Sequence, residues 1–105
     1  MPSATQVANV MSNTTFPSFQ PQLQSVHNQP HNSVGGTMAT AGSPADPVFW
    51  MHHAFIDKIW ADWQKVNSST TAKPPNLTEV LQPPPVFKLE VSQTLSTVRL
   101  GYVYA

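Results

Sequence analysis

Cysteine is absent from this chain of 105 residues, which excludes disulfides, thiolate zinc sites and thiol nucleophiles. Charge is scarce as well. Only 10% of the residues are Asp, Glu, Lys or Arg, against about 25% in ordinary soluble domains. A chain with so little charge hides surface against a partner or belongs to something larger. Five basic residues balance five acidic ones. Without a basic excess, no nucleic-acid partner held through phosphates is expected, and no anionic membrane surface. No run approaches the ~20 apolar residues of a transmembrane helix. No basic stretch followed by an apolar one opens the chain, so no signal peptide is expected. Localisation stays open, and is cytoplasmic if the chain is complete. Three Asn-x-Ser/Thr triplets, at Asn13, Asn67 and Asn76, read as chance in a Ser- and Thr-rich sequence. The length allows one domain at most.

The pattern is mainly α. Residues 1–20 are polar and read as a mostly irregular lead, in which Val7, Val10 and Met11 mark at most one or two short helical turns. Leu23 and Val26 suit a short helix starting near Pro21, kinked or distorted at Pro30, which has no N–H to donate. Gly35-Gly36 and Gly42-Ser43-Pro44 mark a loop. Asp46-Pro47 is a strong helix start, with Asp as N-cap and Pro in the first turn. The predicted helix runs from Pro47 to about Val66. Met51, Lys58, Asp62 and Lys65 share a solvent stripe. Phe49, Ile56, Trp60 and Trp63 lie opposite and face a core. Both His52 and His53 fall toward the buried side. Beyond residue 66, Lys73-Pro74-Pro75 and Pro83-Pro84-Pro85 predict an extended, polyproline-like connector. Near Val91–Thr97 a short strand and a short helix fit equally well. There is no internal repeat. The division is thus 1–20 lead, 21–66 helix pair, and 67–105 connector and closing segment.

All four histidines lie between positions 27 and 53. His27 and His31 are spaced i, i+4, so one helical face presents both imidazoles to one metal ion. A histidine from the long helix makes a third donor. Neighbouring helical residues point about 100° apart, so only one of His52 and His53 joins the same ion. Neutral imidazoles suit copper or zinc, and Cu(II) binds such a set most tightly. A zinc protease would need Glu directly after the first His; Asn28 stands there. A serine hydrolase would show a Gly-x-Ser-x-Gly elbow, which is missing.

The run His27-Asn28-Gln29-Pro30-His31-Asn32-Ser33-Val34-Gly35-Gly36, then Met38, then Ser43-Pro44-Ala45-Asp46-Pro47-Val48-Phe49-Trp50-Met51-His52-His53-Ala54-Phe55-Ile56-Asp57, resembles the second copper-binding (CuB) half of the tyrosinase family. The likeness spans about residues 20–66. Leu100-Gly101-Tyr102-Val103-Tyr104 is similar to the Tyr-x-Tyr segment that closes the family's core domain. The resemblance implies part of an antiparallel helix bundle, the CuB helix pair, with an irregular Pro-rich C-terminal segment. It implies copper as cofactor, with His27, His31 and His53 as metal ligands. Asn28 would orient the first ligand and be linked to phenol deprotonation. His52 would line the substrate entrance without ligating. Asp57 would be a carboxylate beside the ligands or in the seam between helices. Phe49 and Trp60 would pack the copper pocket, and Gly35-Gly36 would let the backbone pass close to it. The implied activity is oxidation of a phenol or catechol by dioxygen.

The family's chemistry uses two coppers, each giving one electron. Its other site (CuA) has its own three histidines on a helix pair N-terminal to CuB, and the 26 residues before His27 hold none. Either the chain is a fragment of a longer family member, or the second copper would come from a partner carrying the CuA half or from a second copy of this chain. An acidic residue before the first ligand, used by tyrosinases on monophenols, is also missing; the first acidic residue here is Asp46. Oxidation of o-diphenols is less demanding. The alternative readings are a mononuclear copper or zinc module without turnover, and a metal-free helical interaction domain. Half a bundle would leave the Phe49, Ile56, Trp60 and Trp63 face uncovered. That represents about 6–12 kcal/mol of unrealised burial, against about 5–15 kcal/mol of total stability. The chain is expected to be marginal, or to oligomerise through this face.

Overall fold

A computed structural model describes residues 1–82 and 88–105. It divides into two compact units, residues 1–72 and 73–105. The expected Pro83-Pro84-Pro85 segment lies outside the described residues. Among the described residues the chain is mainly helical and carries no named strand.

The first unit is built on three helices: α1 (Ala4–Met11), α2 (Phe16–Val34) and α3 (Pro47–Val66). α3 begins and ends where the sequence predicts. Asp46 accepts a hydrogen bond from the Val48 N–H at 2.9 Å, which satisfies a donor that the first turn leaves without a partner.

The lead is where the expectation fails. Residues 4–11 are helical, and α2 starts at Phe16 rather than near Pro21. Ser3 and Gln6 form a reciprocal capping box, a Ser-x-x-Gln pattern that fixes a helix start. α2 runs on through both Pro21 and Pro30. Each proline removes one backbone bond, but Phe19, Leu23, Val26 and Pro30 are buried along this helix, and packing outweighs local propensity.

That lead also covers the face expected to be bare. Phe19 stacks on Trp63, with ring centroids 4.1 Å apart. Phe16 meets Trp60 edge-on at 5.4 Å. Val10, Phe19, Leu23, Val26, Ile59, Trp63 and Ala72 form one buried cluster. Each large side chain removed from water contributes about 1.5–3 kcal/mol. Trp63 is fully buried, and its indole N–H donates to the Asn13 carbonyl at 2.6 Å. That bond ties the end of α3 to the turn between α1 and α2. Since Phe19 meets Trp63 while His27 meets His53, α2 and α3 run antiparallel. The large apolar side chains left open on α3 are Val48, Trp50, Met51 and Val66.

In the second unit, Val80 and Glu90 form an isolated antiparallel bridge. The Leu81 N–H donates to the Leu89 carbonyl at 2.9 Å. The short helix α4 (Val91–Thr94) follows, so of the two forms expected near Val91–Thr97 the helix is the one adopted. Gly101 takes φ of +90°, and Tyr102 and Tyr104 meet edge-on at 5.6 Å.

Candidate metal centre

The four imidazoles meet at the end of the α2–α3 pair away from Trp63. One turn of α2 separates His27 from His31, and their Nε2 atoms lie 3.2 Å apart. From α3, His53 Nε2 comes to 3.0 Å from His27 Nε2. His27, His31 and His53 are half-buried.

The far side of each ring is tied to an oxygen. His31 Nδ1 lies 2.7 Å from the Met38 carbonyl. His53 Nδ1 lies 2.8 Å from the Phe49 carbonyl, one turn back on its own helix. His27 Nδ1 lies 3.0 Å from Asn28 Oδ1. Carbonyl oxygens only accept, so Nδ1 of His31 and of His53 carries the ring hydrogen, which leaves a lone pair on each Nε2. His27 Nδ1 lies between the Asn28 oxygen and, at 3.2 Å, the Gln24 side-chain nitrogen, a donor. Both lone pairs face His27 Nε2, where one cation would be shared by the three rings. The donor set therefore fits a metal ion, with ring orientation fixed from outside.

Two glycines make the His31 tie feasible. Gly35 and Gly36 take φ of +67° and +53°, a left-handed backbone region that glycine enters without steric cost. The chain turns back there into a short 3-10 segment, Gly36–Ala39. That return sets the Met38 carbonyl against His31, while the Met38 side chain is buried.

His52 is placed differently. It is fully buried, and its Nε2–H donates to the His27 carbonyl at 2.8 Å. A buried ring does not line a substrate entrance, so that expected position is corrected here. The ligand atoms of His27, His31 and His52 also fall within 4.8 Å of one another. His53 Nε2 lies 3.0 Å from His27 Nε2, while His52 Nε2 is engaged by the His27 carbonyl.

Burial holds His27 below the usual histidine range. Its bond to Asn28 opposes this, and the neighbouring His53 and His31 add to it. His52 is lowered in the same way, first by burial. Rings that resist protonation stay available as donors.

Phe49 stacks on His53 at 3.8 Å and so walls the cluster, as expected. Trp60 does not; it packs on Phe16 and Phe19. The backbone partners Met38, Phe49 and His27 were missed from sequence. Only the Phe49 tie had a readable signal, its i, i−4 spacing from His53.

Comparison with known proteins gives one family match and several relatives. Residues 1–66 match the family model described as the common central domain of tyrosinase. The chain is 57% identical over 49 residues to a tyrosinase of Streptomyces antibioticus, covering 47% of this chain and 18% of that protein. It is 38% identical over 79 residues to a tyrosinase of Streptomyces galbus, covering 62% and 29%. Hemocyanin 2 of Megathura crenulata is 42% identical over 64 residues, covering 56% of this chain and 2% of that protein. The chain thus spans less than a third of the length of these relatives.

Proposed function

Since this chain belongs to the family of the tyrosinase central domain, whose metal is copper, we propose that it supplies one copper site of an oxidoreductase acting on phenols or o-diphenols. The observation that carries this reading is the convergence of the Nε2 atoms of His27, His31 and His53, each ring anchored at Nδ1 from outside the cluster.

His27, His31 and His53 would hold the ion. Copper, when bound, supplies the redox centre at which dioxygen is reduced and the phenolic substrate oxidised. The protein's own part is to fix the donors and shape their surroundings. Asn28 Oδ1 and Gln24 Nε2 both meet His27 Nδ1, and Gln24 Nε2 also donates to that oxygen at 3.1 Å, so the two side chains orient the ring together. The stacked Phe49 ring holds the plane of His53 and keeps water from that side. Three protein donors leave a coordination position open, as a catalytic site requires.

All four histidines of the chain fall in this one cluster, so its imidazoles serve one ion. A two-electron oxidation needs a second copper, which the histidines of these 105 residues do not hold. The same observation supports the second reading, a mononuclear copper or zinc module without turnover.

Copper titration of the purified chain, followed by catechol oxidation assays alone and at high chain concentration, tests both readings. One copper per chain, lost in His53→Ala, supports the site. Catechol oxidation that rises with dimerisation supports the oxidase reading. Copper binding without turnover under every condition supports the mononuclear one. Undiminished copper affinity in His53→Ala overturns the ligand set.

A further inference from the structure

The fold holds one feature that three ligands do not explain. His52 is the only buried histidine, and its Nδ1 is buried without a hydrogen-bond partner. Polar atoms in that condition are rare and ask for a reason. A leucine would fill the same space between the helices without an unpaired atom.

Two contacts supply the reason. The Nε2–H of His52, on α3, reaches across to the carbonyl of His27, on α2. That carbonyl belongs to the ligand at the centre of the cluster, which meets both His31 and His53. The His52 ring also lies nearly parallel to the His27 ring, 5.4 Å away. The ligand backbone is thus held from the opposite helix, next to the residue that supplies the third donor. Because a carbonyl only accepts, the hydrogen of His52 sits on Nε2 and the lone pair on the buried Nδ1.

We infer that His52 is a positioning residue for the metal: it couples α3 to the backbone of His27 and sets the spacing between the two ligand-bearing helices. This rests on the copper-site reading above, and it gives the adjacent His52-His53 pair a division of labour. His53 binds, and His52 aligns.

The test uses the full chain and Cu(II) as the probe, with affinity measured by chelator competition. Helical circular dichroism and Trp63 fluorescence report the fold. His52→Leu is expected to weaken copper binding about 10–100-fold, the range typical of partners that orient ligands, with both fold signals unchanged. Its Cu(II) paramagnetic resonance spectrum is expected to broaden into more than one species. His52→Gln, whose amide N–H reaches about as far as Nε2, is expected to restore the affinity and the single spectrum. His52→Asn, too short to reach the carbonyl, is not. In the metal-free wild type, nitrogen-15 correlation spectra should show His52 with its hydrogen on Nε2.

Wild-type affinity in His52→Leu overturns the inference while leaving the copper site standing. Restoration by Asn but not by Gln overturns it too, by assigning the role to Nδ1. A hydrogen found on Nδ1 in the wild type does the same. Failure of the wild type to bind copper overturns the site and this inference together.

Discussion

The two ends of the α2–α3 pair are both clusters of aromatic rings, and they are built on opposite principles. At one end Phe16, Phe19, Trp60 and Trp63 pack carbon against carbon. The one polar hydrogen of Trp63 is satisfied by Asn13, and nothing more is required. At the other end the Nε2 atoms of His31 and His53 come within 3.2 Å and 3.0 Å of His27 Nε2, a polar donor set suited to a cation. The first end supplies most of the packing between the helices. The second carries the nitrogen donors, with His52 aligning them locally. Stability and chemistry are separated along a single pair of helices.

The largest effect that would break this comparison lies at the packed end. Trp63→Ala is expected to cost about 3–5 kcal/mol, as large aromatic truncations do. That approaches the whole stability of a small domain, so copper binding should disappear with the fold in a denaturant titration. A variant that keeps copper after losing Trp63 would mean that the histidine end stands by itself.

Next is the converse. His53→Ala is expected to lower copper affinity by about 100-fold or more, which is about 2.7 kcal/mol. The metal-free unfolding midpoint should stay within about 0.5 kcal/mol of the wild type. A large loss of metal-free stability would show that the two ends are not separable.

Asp46→Ala is expected to cost about 1 kcal/mol, the usual worth of an N-cap. The loss should appear in stability before it appears in affinity, because the cap lies at the start of α3, seven residues before His53.

Acidity sharpens the comparison at one end only. His27 and His52 are held below their unfolded value by burial first, and that unfolded value is about 6.5. The unfolded chain then binds more protons than the folded one just below pH 6.5. The stability these rings contribute is complete above pH 6.5 and is lost as pH falls from there through their folded values. The metal-free thermal midpoint should therefore drop between pH 7.5 and 5.5, and the drop should shrink in His52→Gln. A flat or rising midpoint would contradict it. The smallest effect is Lys58→Ala on the exposed side of α3. Removing that partner of Asp62 should cost about 0.3–0.5 kcal/mol and fade with salt.

How much of this the residues disclosed differs between the ends as well. The start of α3 was legible because Asp46-Pro47 is a local signal. The His27–His31 spacing was legible because i, i+4 on one helix is local too. The packed end was not. Its decisive residues, Phe16 and Phe19, sit in a polar stretch broken by Pro17 and Pro21. They become helical because Trp60 and Trp63, more than 40 residues away in the chain, give them something to pack on. The Ser3-to-Gln6 capping box was a local signal that went unread. The Met38 carbonyl behind His31 and the His27 carbonyl behind His52 were beyond reach, since backbone oxygens leave no trace in residue identity. The face thought to be bare was misplaced for the same reason. Its tryptophans are covered by the lead, and the exposure falls on Trp50 and Met51 instead.

That displacement gives the molecule a built-in optical readout. Trp50 is 63% exposed and touches Phe49, which stacks on His53; Trp63 is sealed at the far end. An indole in water emits at longer wavelength than one in a dry interior, and Cu(II) quenches the nearer emitter more strongly. Loading the site should dim the red edge of the emission first, while unfolding should shift the blue edge. A single spectrum would thus separate occupancy from integrity, without a label.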